Sequence, residues 1–261
     1  MYSIAMLIDT HAHIHVKDFD FDRDQVIARA LSANVMMINV GFDLDGIRQS
    51  AILAKNNKSI YWAAGFHPHL AQSATDENLN VIVDLAKEEE GKKLVAIGET
   101  GLDFFRNRCP RDVQISGFVK QLRLAKKMNL PVILHCRESF EDTFRILNEE
   151  KIERAVFHCF SDTIKEAKQC WEKGYFTSFT GICTYSKAEN VRDIIANAPL
   201  DMIMIETDCP YLAPQSVRGK RNEPAFVREI FNKLAEIRKA ELSDLENIIF
   251  NNSVNFFKLS V

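Results

Sequence analysis

The sequence predicts an α/β protein, a single (β/α)8 TIM barrel with an additional C-terminal helix. Three observations carry that expectation. Short apolar runs alternate with helical stretches along the chain, which is the order of a parallel sheet with crossover helices. Eight such runs are present, the number a barrel requires. The length of 261 residues, 46% of them hydrophobic, suits one barrel with a full core. One domain, residues 1-261, is expected, with no linker, repeat or low-complexity segment to divide it. A doubly wound open sheet would carry a Gly-rich phosphate turn after an early strand, and Gly-X-Gly-X-X-Gly is absent.

Leu7 to His13 opens the chain as strand one, and the stretch from Asp22 to Ala33 is helical in pattern. Val35 to Val40 is the second strand, ended by Gly41. Asp43 is placed to cap a helix to about Lys55, ahead of strand three, Ile60 to Ala64. A third helix, Glu77 to Glu90, precedes Leu94 to Glu99; its Glu88-Glu89-Glu90 end reads as solvated, although acidic charge is mildly unfavourable there. Pro110 to Met128 predicts a long helix. Pro131 fits the start of strand five, Pro131 to His135, where its missing N–H does least harm. The alternation continues with helix Glu138 to Glu149, strand Ala155 to His158, helix Thr163 to Lys173 and strand Tyr175 to Thr180. Helix Lys187 to Asn197 and strand Met202 to Asp208 complete the eight. Two helices, Glu223 to Lys239 and Ser243 to Phe257, finish the chain.

Composition narrows the setting. The N-terminal apolar run is broken by Asp9 before it reaches signal-peptide length, and no segment approaches a membrane span. Six cysteines without a Cys-X-X-Cys pair do not make a disulfide scaffold at this size, so a reducing, cytoplasmic setting is expected. A net charge of −3 gives no global attraction to nucleic acid; a polyanion would have to be held by local basic loops or bound cations.

The chemistry lies in the histidines. Residues two apart in a strand point the same way, so Asp9, His11 and His13 share one side and two imidazoles converge. Neutral imidazole suits borderline divalent metals. All 7 histidines (11, 13, 15, 67, 69, 135 and 158) fall at or just past the C-terminal end of an expected strand, and Glu99 and Asp208 close strands four and eight. In a barrel these positions open onto one face, where active sites are built. Singly, each has an ordinary explanation: His135 or His158 as a hydrogen-bonded strand-end histidine, Asp208 as the cap of the turn Asp208-Cys209-Pro210. Together they exceed what one ion needs while keeping a position open for water or substrate. Two divalent ions are therefore expected. His11, His13 and Asp208 would hold one and His135 and His158 the other, with Glu99 as the bridge. Two ions roughly 3.5–4 Å apart would activate a water and stabilise charge on phosphoryl or carbonyl oxygens. Some barrel hydrolases place a modified lysine at the end of strand four; here Lys92 and Lys93 precede that strand and belong at its other end.

Asp9 and Glu206 are expected either to orient the imidazoles or to form buried polar pairs. Cys136, Cys159 and Cys209 each follow a candidate ligand by one residue, so alternation turns them away as small buried hydrophobes. His67 and His69 are expected to touch substrate, and His15 to be structural or exposed. Basic residues collect in the same loops: Arg106, Arg108, Arg111, Arg137, Arg218, Lys220 and Arg221. Guanidinium suits phosphate, although loops are often simply charged. Phe104 and Phe105 read equally as base-stacking residues or buried loop anchors.

Seven ordered motifs then resemble one family, the TatD metal-dependent deoxyribonucleases. They are Asp-Thr-His-Ala-His (9 to 13), Gly-Phe-His-Pro-His (65 to 69), Gly-Glu-Thr-Gly-Leu-Asp (98 to 103), Leu-Pro-Val-Ile-Leu-His-Cys-Arg (130 to 137), His-Cys-Phe-Ser (158 to 161), Glu-Thr-Asp-Cys-Pro-Tyr-Leu (206 to 212) and Arg-Gly-Lys-Arg-Asn-Glu-Pro (218 to 224). Asp162 departs from the family's usual Gly, beyond any ligand. The resemblance implies an amidohydrolase-superfamily barrel and a 3′ to 5′ exonuclease or related phosphodiesterase acting through a metal-activated water. It implies metal ligation by His11, His13, Glu99, His135, His158 and Asp208, and substrate contact by His67. The expected enzyme is a deoxyribonuclease with two divalent ions (Mg²⁺, Mn²⁺ or Zn²⁺), in which Glu99 and Asp208 are catalytic. Asp208 would also accept the proton of the attacking water. His67, Arg106, Arg137 and Arg221 would meet a DNA substrate, with RNA or tRNA as alternatives, in a monomer without a membrane partner. The competing enzymatic reading is carboxyl-ester hydrolysis, such as D-aminoacyl-tRNA deacylation. A metal-stabilised binding module without turnover is the third.

Overall fold

The computed structural model describes residues 6–88 and 93–260. Its strands are β1 (Leu7–Ala12), β2 (Val35–Gly41), β3 (Ile60–Ala64), β4 (Leu94–Asp103), β5 (Val132–Arg137), β6 (Ala155–Phe157), β7 (Phe176–Phe179) and β8 (Ile203–Ile205). They form one eight-stranded sheet in chain order, β1 to β8. Between them run α1 (Arg23–Ser32), α2 (Leu44–Asn56), α3 (Asp76–Lys87), α4 (Arg111–Met128), α5 (Phe140–Glu149), α6 (Ile164–Glu172) and α7 (Glu189–Asn197). α8 (Val227–Arg238) and α9 (Leu242–Phe257) follow β8, so the fold is the (β/α)8 barrel with the extra C-terminal helix that the sequence predicts. No helix among the described residues is long and apolar enough to cross a membrane. Glu89, Glu90 and Lys92 lie outside the described residues.

The chain divides into two compact units, one of segments 1–38 and 159–261, the other of 39–158. In the second unit, β3 to β6 pair in parallel around Trp62, Phe66, Phe118 and Phe157, all essentially without solvent exposure. Asp43 caps α2 through the Gly46 N–H at 2.6 Å, as its position in the sequence anticipates. Lys93 donates to the Ala54 and Asn57 carbonyls at the C-terminal end of α2, which fixes it at the entry of β4, away from the histidines. In the first unit, β7 pairs with β8, and Phe19, Tyr175, Phe179 and Phe231 fill the interior. Thr163 and Glu166 close a reciprocal capping box that starts α6.

Two strand ends differ from expectation. β8 stops at Ile205, and Glu206 to Asp208 continue as irregular backbone bonded to β7 through Glu206 N–H and the Phe179 carbonyl at 3.1 Å and to β1 through Asp208 N–H and the His11 carbonyl at 2.8 Å, before Asp208, left-handed with φ of 56°, turns the chain. β4, expected to close at Glu99, runs on to Asp103. Its register against β5 slips between Ile97, opposite Val132, and Thr100, opposite Leu134. Three steps on β4 thus face two on β5, which is a bulge, and Glu99 lies within it. Gly98 and Gly101 flank this site at φ of 150° and 143°, and a Cβ on either would overlap a backbone carbonyl of β5.

Gly101→Ala is therefore expected to cost about 2–3 kcal/mol of stability, read as a fall of roughly 5–10 °C in the melting temperature by circular dichroism.

Candidate metal centre

Each unit carries its own converging donor set. In the first, β1 presents His11 and His13 on one side, with their Nε2 atoms 3.1 Å apart. Asp208 Oδ1 lies 3.3 Å from His13 Nε2 and 3.9 Å from His11 Nε2. Two ring nitrogens aimed at one another beside a carboxylate oxygen repel unless a proton or a cation sits between them, and three such donors within one ion's reach fit a divalent metal.

The second set gathers on Glu99. Its Oε1 lies 2.8 Å from His135 Nδ1, 3.0 Å from His158 Nε2 and 3.5 Å from His67 Nε2. His135 Nδ1 and His158 Nε2 are themselves 3.4 Å apart. On the far side of the His135 ring, Nε2 faces Asp103 Oδ2 at 3.4 Å, and His69 Nε2 faces the same oxygen at 2.8 Å. Asp103 thus favours the proton on His135 Nε2 and leaves the Nδ1 lone pair turned toward Glu99, the arrangement of a metal-binding histidine with a carboxylate behind it. The sequence reading gave Asp103 no role. The signal available to it was the motif Gly-Glu-Thr-Gly-Leu-Asp, which ends on Asp103, opposite Arg137 in the next strand.

Electrostatics follows from burial and these bonds. Burial opposes charging the His135 imidazole, but the Asp103 and Glu99 carboxylates facing its two nitrogens outweigh that and raise its pKa. Burial opposes ionising Asp103, yet the nearby His135 ring and the bonds from the Arg106 N–H and His69 hold its carboxyl well below the usual range. Burial pushes His67 down to about 3, so its ring is neutral near pH 7. His67 Nδ1 accepts the backbone N–H of His69 at 3.1 Å, which leaves the ring proton on Nε2. His67 is accordingly a donor, although its distance to Glu99 and His135 also admits it to a metal-ligating group.

The carboxylates expected beside the imidazoles grip backbone. Asp9 accepts the Thr207 N–H at 2.8 Å, the Thr207 hydroxyl at 2.5 Å and the His11 N–H at 3.3 Å, tying β1 to the turn that carries Asp208. Burial raises its carboxyl to about 8. Glu206 accepts the Cys159 N–H at 2.7 Å and the Ser178 hydroxyl at 2.6 Å. His15 is buried, with its ring 5.8 Å from that of His13. All six cysteines are free thiols; Cys209 is buried as expected, whereas Cys136 and Cys159 are half-buried beside Ser139 and Thr180.

The loop arginines separate. Arg137 lies 4.0 Å over the ring of Phe105, which is 52% exposed, and Arg106 stands 5.9 Å from the same ring. Phe104 is buried under Arg111. Arg221 is spent on structure: its two terminal nitrogens grip Asp22 at 2.8 and 2.7 Å, one also donates to the Asp18 carbonyl, and the guanidinium covers Phe19.

A family model described as TatD related DNase matches residues 8–258. The chain is 37% identical to an uncharacterized metal-dependent hydrolase, YabD, of Bacillus subtilis, over 98% of this chain and 100% of that protein. It is 34% identical to a 3′-5′ ssDNA/RNA exonuclease TatD of Escherichia fergusonii, over 97% of this chain and 100% of that protein. Among solved structures, YjjV, a TatD homolog from Escherichia coli K12, superposes with a TM-score of 0.92 at 30% identity, covering 99% of this chain and 100% of that one.

Asp103→Asn removes the carboxylate behind His135 and is expected to weaken divalent-ion binding about 10–100-fold, measured by titrating Mn²⁺ or Zn²⁺ calorimetrically into chelator-treated protein. A hydrogen bond from Arg221 lowers the Asp22 carboxyl from 3.8 to about 2. The stability it contributes is whole above the unfolded value and is lost as pH falls through the folded one. The melting-temperature gap between wild type and Asp22→Asn should therefore be present at about pH 5 and close toward about pH 2.

Proposed function

The chain belongs to the TatD-related DNase family and is a metal-dependent hydrolase; from that premise we propose that it removes nucleotides from the 3′ end of DNA by hydrolysing phosphodiester bonds. The observation that carries this reading is the pair of donor sets, His11, His13 and Asp208 in one and Glu99, His135 and His158 in the other. The five other than Glu99 stand toward or just past the C-terminal ends of β1, β5, β6 and β8, the end at which barrels build active sites, and Glu99 stands in the β4 bulge. Each set would hold one divalent ion. Bound there, the ions supply Lewis acidity toward the phosphoryl oxygens and toward the attacking water.

The chain's own groups divide the remaining work. Asp208, half-buried and beside His13, accepts the proton of the water as its oxygen bonds to phosphorus. The bond from phosphorus to the 3′ oxygen breaks, leaving a 5′-mononucleotide and a 3′-hydroxyl on the shortened strand. His67, neutral with its proton on Nε2, donates toward a phosphoryl oxygen. Arg137 and Phe105 offer a stacked guanidinium and ring beside β5 for a phosphate and a base. Asp103 keeps the His135 Nδ1 lone pair available. The work of residues 1-261 is that of one hydrolase acting on nucleic acid in the cytoplasm.

The test is digestion of a 5′-labelled single-stranded oligonucleotide with Mg²⁺, Mn²⁺ or Zn²⁺, alongside metal analysis of the protein. A ladder shortening from the 3′ end is expected, and Glu99→Ala and Asp208→Ala should each lower kcat/KM by at least about 10²–10³-fold. Inertness toward DNA and RNA with every ion, or release of an amino acid from charged tRNA in its place, would overturn the reading.

A further inference from the structure

A cavity of about 440 Å³ opens in the first unit, among the loops that follow β6, β7 and β8, and none of the candidate metal ligands lines it. Ser161, Ile182, Tyr185, Lys187, Asn190 and Arg218 form much of its wall. Its charged lining residues are Lys187 and Arg218, both cations, in a protein whose net charge is −3. Neither makes an ion pair among the described residues, while Arg218 lies 4.4 Å over the ring of Tyr185. A site with two unpaired positive groups, a fixed aromatic face and hydroxyl and amide groups, in the size range of small-molecule pockets, has the chemistry of a nucleotide site.

The walls are held before any ligand arrives. Tyr185 donates its hydroxyl to the Ala213 carbonyl at 2.9 Å, which sets the ring. Arg192 grips the carbonyls of Tyr185 and Ser186 at 2.5 and 2.9 Å, fixing the backbone that carries Lys187. Asn190 donates to the Ser161 carbonyl at 3.1 Å, joining the loop after β6 to the start of α7. Arg218 lies in the loop that leaves Asp208, ten residues after it.

We propose that this cavity is a subsite for one nucleotide unit of a single-stranded substrate, with the phosphate on Lys187 and Arg218 and the base against Tyr185. The inference rests on the nuclease reading for the identity of the polymer, and it assigns the chain a second point of grip apart from the donor sets. A free 5′-mononucleotide carries the same chemistry as the polymer unit and should enter the same cavity.

The experiment is fluorescence anisotropy of a labelled single-stranded oligonucleotide, titrated with wild type, Lys187→Ala/Arg218→Ala and, as a charge control on the exposed face of α6, Lys168→Ala, at several salt concentrations. The double variant should bind roughly tenfold more weakly, and its slope of log affinity against log salt should fall by about 0.7, the value for one lost phosphate contact on a single strand. Lys168→Ala should match wild type. Unlabelled 5′-dAMP should displace the oligonucleotide from wild type far better than inorganic phosphate. Equal affinity and slope in the double variant overturn the subsite, as does phosphate competing as well as dAMP. Failure of the nuclease reading looks different: wild type binds the oligonucleotide through Lys187 and Arg218 but does not shorten it.

Discussion

A glutamate carboxylate meets two imidazoles at hydrogen-bond distance only if the backbone delivers it there, and in this chain the delivery depends on the additional residue in β4. A regular strand pairing would keep Ile97 and Thr100 three positions apart against three on β5; the slip against Val132 and Leu134 compresses that to two and re-aims Glu99. The strand then recovers its pairing, so Leu102 and Asp103 again stand opposite Cys136 and Arg137. Asp103 is returned to the His135 ring on the side away from Glu99. One local irregularity thus places a carboxylate at each of the two nitrogens of His135, and the glycines on either side are what let the strands approach closely enough to allow it.

Around that bulge, buried polar side chains serve the backbone. Gln121 of α4 accepts the Phe66 N–H at 2.7 Å and donates to the Phe66 carbonyl at 3.0 Å, fixing the residue that precedes His67. Gln114, two turns earlier, accepts the Asp103 N–H at 2.8 Å and donates to the Cys109 carbonyl at 2.7 Å. Asp9 and Glu206 do the same for the turn bearing Asp208 and for the turn after His158. A buried amide or carboxylate left without partners would cost about 1–3 kcal/mol or more, so each such group is stable only in the geometry that satisfies it. The segments that carry the donors are therefore held to one conformation by buried side chains bonded to their backbone, which is how a site on strand ends acquires precision.

Much of this was legible in the residues, and where it was not, the reason is physical. Periodicity locates elements, and Asp43, Pro131 and the eight apolar runs lie where the structure uses them. The same alternation groups His11 with His13, and the places of Glu99, His135 and His158 at the ends of expected strands select them as candidate ligands. Parity assumes a regular strand, however. It ended β4 too early, for the bulge is a property of pairing with β5 and has no local signature beyond two glycines three residues apart. It therefore missed Asp103. It also carried Asp208 inside β8, whereas a left-handed residue there turns the chain. For Arg221 the sequence offered a basic motif. Only the fold reveals that Asp22, 199 residues away, occupies its guanidinium.

The arginines divide by the partner each one takes, and the division decides where their charge is cancelled. Arg221 on Asp22, Arg228 on Glu246 and Arg123 on Glu150 direct their N–H donors at carboxylates, so those donors are used and the local charge is cancelled. Arg111, Arg137 and Arg218 instead lie over Phe104, Phe105 and Tyr185 and make no ion pair among the described residues. Stacking engages the flat face of the guanidinium through the ring's negative quadrupole and leaves the in-plane donors pointing outward. The aromatic partner thus does what an acidic one cannot: it orders a long side chain without neutralising it. Arg111, Arg137 and Arg218 keep their charge through that choice of partner, and a net charge of −3 over 261 residues places no constraint on it.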